Sequence, residues 1–328
     1  MMATIKGLAA RPVVRLLGTL LLLGLLSIQV DLGDLVATFR DISLGYVALT
    51  IALGVGMMVF NAFRWLCLLP RAAGIRLSQV VRLTFVSAYV GLFLPGTVGS
   101  EAIKVGGLAR KTGLSIAATS VLADRLLSLF TQLAIAMVLM IAFPNPFPPA
   151  ITVGAFAGLI CLGLFAALSF HRGLRRRVVG FLDRRGSDQI AARITTVTRA
   201  IDHYRSPVVM VTGLVLAALL QVFRAVFLWA CSKALGGDIG LPLFLIALPV
   251  VSVVEMLPIS IAGIGPREAA FVFVLAQFGI PSELTIATSL LAFFAGTVIA
   301  AFLGFLLVSV FGVARDVIRR AENRQDAA

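Results

Sequence analysis

Six stretches of this chain are apolar for long enough to cross a bilayer, and this excludes most folds before any motif is considered. A helix rises about 1.5 Å per residue, so roughly 20 apolar residues match a hydrocarbon core about 30 Å thick. Residues 12–30, 44–68, 115–142, 150–170, 207–232 and 283–312 reach that length. In hydrocarbon each backbone N–H and C=O must be satisfied within its own segment, which makes such runs helices. A mean hydropathy of +1.04 places the whole chain in the integral-membrane class. The first run follows Lys6 and Arg11 as a signal peptide would, but no A-x-A-like site comes after it, and a retained helix is expected.

Two further apolar stretches are too short or too broken to span. Leu83 to Leu94 runs into Pro95-Gly96, and Leu241 to Leu257 runs into Pro258. A helix of about 12 residues rises only about 18 Å, so the chain is predicted to stop at membrane depth and turn back. The charges agree. With the N-terminus in the cytoplasm, Lys6, Arg11, Arg15, the group from Arg64 to Arg82, Lys104, Arg110, Lys111, the arginine-rich stretch 172–205 and the tail from Arg315 to Arg324 all fall inside. Arg40, Lys233 and Arg267 fall outside. Making either dip a full crossing would invert the later segments and strand a basic block outside, against the positive-inside tendency. The net charge of +13 is therefore a topology signal, and no nucleic acid partner is expected.

The two dips resemble each other. "FLPGTVGSEA" from Phe93 faces "MLPISIAGIGPREA" from Met256, and "ATSVLA" from Ala118 faces "ATSLLA" from Ala287. The order span, span, dip, span occurs twice, starting inside and then outside, which is the plan of inverted-topology repeats. The expectation is an all-α polytopic integral membrane protein with about six transmembrane helices and two re-entrant half-helix hairpins. Residues 1–142 form the first repeat, with its hairpin at about 83–111. Residues 143–312 form the second, with a basic cytoplasmic loop at about 171–206 and a hairpin at about 241–279, and residues 313–328 form a basic tail. The loop 171–206 is expected to meet anionic inner-leaflet lipids or to dock a lipid-modifying enzyme.

Irregular backbone at membrane depth is tolerated where it lines a cavity, which points to Pro95, Gly96, Gly99, Pro258, Gly263 and Gly265. A helix start is predicted after each break, with Ser100 as N-cap before Glu101 and Pro266 in the first turn after Gly265. Free N–H groups and partial positive charge at these starts, beside Lys104 and Arg267, would suit an anion such as phosphate. Asn61, Arg64, Asp124, Arg125, Gln221, Arg224 and Glu255 are intramembrane polar residues and so functional candidates. Asp124 and Arg125 point about 100° apart on a helix and are expected to pair with other helices, Asp124 with Arg64 for example, which would equally serve packing. Arg64 could instead snorkel to the cytoplasmic surface. Glu101 and Glu268 could simply complement helix dipoles. Cys67, Cys161, Cys231, His171 and His203 are scattered, so no metal, cofactor or disulfide is expected, and the absence of a nucleophile with a base argues against an enzyme.

"NAFRW" (Asn61 to Trp65), "LPGTVGSEAIK" (Leu94 to Lys104), "ADRLLSL" (Ala123 to Leu129) and "LPISIAGIGPREAA" (Leu257 to Ala270) resemble, in order and spacing, the transmembrane flippase-like domain of lysylphosphatidylglycerol synthases. The likeness covers about residues 40 to 310. The family's LP-x-x-x-G-G-D/E pattern is departed from at Ser100, Ala262 and Pro266, which bears on headgroup preference. The resemblance implies movement of a membrane lipid with an anionic headgroup, a phospholipid or polyprenyl phosphate, in a bacterial plasma membrane with both termini cytoplasmic. The chain ends in "ARDVIRRAENRQDAA" rather than a soluble aminoacyl-transfer domain, so aminoacylation is not expected of it. The alternatives are an ion-coupled carrier of a soluble anion, using Glu101, Glu255 and Asp124, and a non-transport scaffold for a lipid-modifying enzyme.

Overall fold

A computed structural model of the chain describes residues 33, 38–40, 42–70, 73–93, 98–142, 152–154, 156–160, 163, 206–256, 260 and 263–311. The expected spans at 12–30 and most of 150–170, the loop 171–205, the tail 313–328, and Pro95, Gly96 and Pro258 lie outside them.

Four helical stretches are long and apolar enough to cross a membrane, and each matches an expected span. Helix α1 is Leu44–Leu68, α4 is Leu114–Ala142 and α5 is Pro207–Ala234. The fourth joins α8 (Ser282–Ala292) to α9 (Ile299–Phe311) through a π-helical turn, Phe293–Val298. Helix α1 stops where Leu69 takes an extended conformation before Pro70, because a residue preceding proline is pushed out of the helical region. Val208, Val211, Val215, Leu219 and Val222 form an exposed stripe on α5. Their spacing of three and four residues covers one helix face, and an apolar face open to its surroundings belongs against lipid tails. The chain is a membrane protein.

Helices α1 and α5 pack along their length, and they run antiparallel. The Ser43 N–H donates to the Ala234 carbonyl at 2.8 Å at one end. Phe60 and Phe223 meet at 6.1 Å in the middle, and Leu68 lies against Gly213 at the other end.

Between the long helices lie two helical hairpins. In the first, α2 (Leu77–Gly91) and α3 (Val98–Thr112) lie side by side. Gly91 meets Ser100 near the turn, Leu83 meets Gly107 midway, and Lys111 Nζ donates to Gln79 Oε1 at 3.0 Å at the open end. Each arm has 15 residues, a rise of about 22 Å. In the second, α6 (Leu241–Val254) returns as α7 (Pro266–Leu275), with Glu255 against Gly263 near the turn and Phe244 edge-on to Phe271 at 6.5 Å. Gly263 and Gly265 have φ of 79° and 94°, a conformation in which a Cβ is strained, so glycine is what lets this turn close.

Two sequence expectations are corrected here. The first arm begins at Leu77, not near Leu83, because Ser78, Gln79 and Arg82 extend the apolar run as an amphipathic turn. The second arm begins at Val98, which places Ser100 inside the first turn rather than at the N-cap.

Helix α2 packs on α9, and α6 packs on α4. The first contact is close: a Cβ on Gly304 would fall 2.1 Å from the Phe85 carbonyl oxygen. One apolar cluster joins α5 to α8 around Phe227, Phe244, Ile246, Leu248, Phe271 and Leu291. A smaller one joins α1 to α4 through Ala62, Trp65, Val80, Leu108 and Ala117.

Candidate functional site

Polar side chains enter the interior from one face of each contributing helix. On α1 the positions are Met57, Met58, Asn61, Arg64 and Trp65; on α4 they are Val121, Asp124, Arg125, Ser128, Leu129 and Gln132. These steps of three and four residues define one stripe on a helix. With Ser100, Glu101 and Lys104 of α3, Leu220, Gln221 and Arg224 of α5, and Ser252 and Glu255 at the end of α6, they line a cavity of about 310 Å³. A second cavity of about 240 Å³ adjoins it. It is lined by residues of α2 from Thr84 to Gly91, by Leu92 just after it, by Gly263 and Arg267 of the second hairpin, and by Thr297 of the π turn. Met58, Asn61, Ser100, Lys104 and Glu255 border both.

Isolated charge inside a membrane protein is costly, and three ion pairs offset that cost here. Arg64, only 2% exposed, donates to Asp124 Oδ2 at 2.8 Å, Ser128 Oγ at 2.7 Å and Asn61 Oδ1 at 3.2 Å. The snorkelling alternative for Arg64 is thereby overturned, since its guanidinium is enclosed and bonded inward. Arg125 donates to Glu101 Oε1 at 2.8 Å, joining α4 to α3. Adjacent residues on α4 thus serve two different helices, as their 100° separation requires.

The third pair is local. Glu268, fully buried, accepts from the Gly265 N–H at 2.7 Å, from Ser289 Oγ at 2.9 Å and from the Arg267 guanidinium. Arg267 also reaches Ser289 at 3.0 Å and lies 4.8 Å from the centre of the Phe293 ring. The carboxylate satisfies the start of α7 while neutralising Arg267. Although Arg267 borders the second cavity, its charge is committed.

Among the described residues, Lys104, Arg224 and Glu255 form no ion pair. The Lys104 ammonium stands 5.5 Å from the Trp65 ring centre, close enough for cation–π attraction, and Trp65 is itself pinned by a bond to Ser120 Oγ at 3.1 Å. Gln132 Nε2 donates to Gln221 Oε1 at 3.1 Å across α4 and α5. Several buried polar atoms around the first cavity keep unused bonding capacity: Arg64 Nε, Asp124 Oδ1, Arg125 Nε, Gln132 Oε1 and Gln221 Nε2. Buried polar groups are ordinarily satisfied, and a cavity edged by so many open ones is suited to a polar guest.

The structure gathers Asn61, Arg64, Asp124, Arg125, Gln221, Arg224, Glu255, Ser100, Glu101 and Lys104 around the first cavity, and Gly263 and Arg267 around the second. Gly265 and Glu268 support α7 from behind. Gly99, although described, is not among the lining residues. Sequence reasoning missed Trp65, Ser128, Gln132 and Ser252. The polar positions 124, 125, 128 and 132 in an otherwise apolar helix were the available signal for two of these. Among the described residues no cluster of three or more His, Cys, Asp or Glu side chains is placed to hold a metal ion.

Spanning helices, two helical hairpins and an interior cavity lined by charged side chains define a polytopic helical membrane protein. The family model of the lysylphosphatidylglycerol synthase TM region matches residues 13–304, and the chain belongs to that family. No curated protein matches it.

Proposed function

We propose that this protein translocates a lipid, holding an anionic headgroup in the paired cavities while the acyl chains stay in the bilayer. The observation that carries this reading is the unpaired charge of Lys104 and Arg224 lining one interior cavity. After the three ion pairs are formed, Lys104, Arg224 and Glu255 leave a net positive charge, which favours a phosphate. Membership of a membrane-domain family named for a lipid synthase supports the choice of a lipid.

The hairpins are re-entrant on this reading. Arms with a rise of about 22 Å do not cross a 30 Å core, and the Gln79–Lys111 contact at the open end of the first suits the headgroup level. The two halves are inverted repeats, α1–α2–α3–α4 matching α5–α6–α7–α8/α9. Two features support this: corresponding helices α1 and α5 run antiparallel, and α2 on α9 is mirrored by α6 on α4. Both termini face the cytoplasm of a bacterial cell, and the basic segment 171–206 rests on anionic lipid or meets a lipid-modifying enzyme. Rocking of one half against the other would expose the cavity to each leaflet in turn. The polypeptide itself performs no chemistry.

Purified protein in vesicles should accelerate exchange of a fluorescent anionic phospholipid between leaflets, and Lys104→Ala should lower that rate at least tenfold. Lys104 is the cleaner target than Arg267, whose removal would orphan the buried Glu268. Accumulation of a soluble anion without lipid movement would favour the ion-coupled carrier instead.

A further inference from the structure

We infer that Trp65 is a positioning residue: its ring holds the Lys104 ammonium away from Asp124 and so keeps that cation available to an anion in the cavity. The inference rests on the proposed reading for the presence of an anionic guest, but not for the contact itself. Lys104 has two carboxylates within electrostatic reach, Asp124 and Glu101, and pairs with neither. Glu101 lies three residues earlier on the same helix, a spacing at which opposite charges ordinarily meet. Asp124 also has room for the lysine, since its Oδ1 is buried without a partner.

Three contacts keep these charges apart. Arg64 donates to Asp124 Oδ2 at 2.8 Å, Arg125 donates to Glu101 Oε1 at 2.8 Å, and the Trp65 ring centre stands 5.5 Å from the Lys104 ammonium. The face of an aromatic ring carries partial negative charge and attracts a cation. A carboxylate would cancel the charge of the lysine, whereas the indole leaves it whole. Arg64 and Trp65 are adjacent on α1 and point about 100° apart, so one dipeptide holds the acid with one side chain and the base with the other.

The orientation of the ring is fixed from behind. Its Nε1 donates to Ser120 Oγ at 3.1 Å, and Ser120 Oγ donates in turn to the Ala117 carbonyl at 2.8 Å. Trp65 is 2% exposed and shares an apolar cluster with Val105 and Leu108 of α3. Leu108 is one turn beyond Lys104, so the face of α3 that rests on the indole also carries the lysine. Without the attraction of the ring, Lys104 would turn to the open Asp124 Oδ1, because a buried acceptor left unmet is costly. An anion would then bind only the molecules in which Lys104 is free, and a fall of that fraction to about a tenth weakens apparent affinity about tenfold.

The test replaces Trp65 by tryptophans carrying one to four ring fluorines, which withdraw negative charge from the face and leave its size nearly unchanged. Affinity for dihexanoylphosphatidate, titrated by calorimetry in detergent, should fall stepwise along the series, by about tenfold at four fluorines. In the Lys104→Met background the same series should change affinity by less than about twofold, a dependence on the cation that packing alone does not produce. The melting temperature of the ligand-free protein should likewise fall along the series with Lys104 present and stay level in Lys104→Met. An affinity that is flat or rises with fluorination, or a melting temperature with the same trend in both backgrounds, overturns the inference. If the wild type binds no phosphatidate, the melting series decides this inference and the translocation reading falls by itself. Binding that follows the series without vesicle exchange sinks translocation alone, and exchange with no dependence on the fluorines sinks this inference alone.

Discussion

Removing Asp124 tests the claim that the cavity charges are held by specific pairing. The Arg64 guanidinium is 2% exposed and meets the carboxylate at 2.8 Å. At an effective dielectric of about 20 the Coulomb attraction at that separation is about 6 kcal/mol, largely offset by the cost of taking both ions out of water. In Asp124→Ala the cost to Arg64 remains and the attraction is gone, so a loss of about 3–5 kcal/mol is expected. Ser128 and Asn61 still accept from Arg64, which places the value toward the lower end. Replacing both partners, as Arg64→Met/Asp124→Leu, removes the orphaned ion and should recover most of that loss. Unfolding of each variant in detergent, followed by denaturant titration, supplies the double-mutant cycle. A double variant as unstable as Asp124→Ala would refute the reasoning, because it would mean that the single change had damaged packing and not stranded a charge.

The other expectations follow from neighbouring geometry. The Arg125–Glu101 pair is 22% and 29% exposed, so Glu101→Gln should cost only about 1–2 kcal/mol in the same assay. Gly304→Ala brings a Cβ within 2.1 Å of the Phe85 carbonyl oxygen and should destabilise by about 1–3 kcal/mol. Gly45→Ala, with nothing within 4 Å, should stabilise α1 by up to about 1 kcal/mol, and thermal melts of the two variants should shift in opposite directions. Glu268→Gln, which weakens the partner of Arg267 and of the Gly265 N–H, should lower the melting temperature more than Glu101→Gln does.

Four of the six expected spans fall on described residues, and these were legible because the bilayer imposes a length. The expected bounds 44–68 coincide with α1, and 115–142 and 207–232 miss α4 and α5 by at most two residues. The Arg64–Asp124 pair was also legible, since two opposite charges in separate apolar helices have few other ways to be satisfied. The partner of Arg125 was not, because Glu101 had an equally good local role at the start of its own helix. The Gln132–Gln221 contact was half legible: Gln221 stands out in α5, but only the packing of α4 on α5 reveals Gln132 as its partner. Arg267 shows the opposite limit. Its charge and its place at a helix start suggested an anion ligand, and the adjacent Glu268 absorbs that charge through a turn that sequence spacing does not display.

On the proposed reading, the charged cavity carries a lipid headgroup across the membrane. The direct measurement is leaflet exchange of fluorescent phosphatidylglycerol in vesicles containing the purified protein, compared with empty vesicles and with Lys104→Ala. Exchange should be accelerated by the wild type and be at least tenfold slower in the variant at equal protein incorporation. Wild-type vesicles no faster than empty ones for any anionic lipid, or a variant as fast as the wild type, would contradict it.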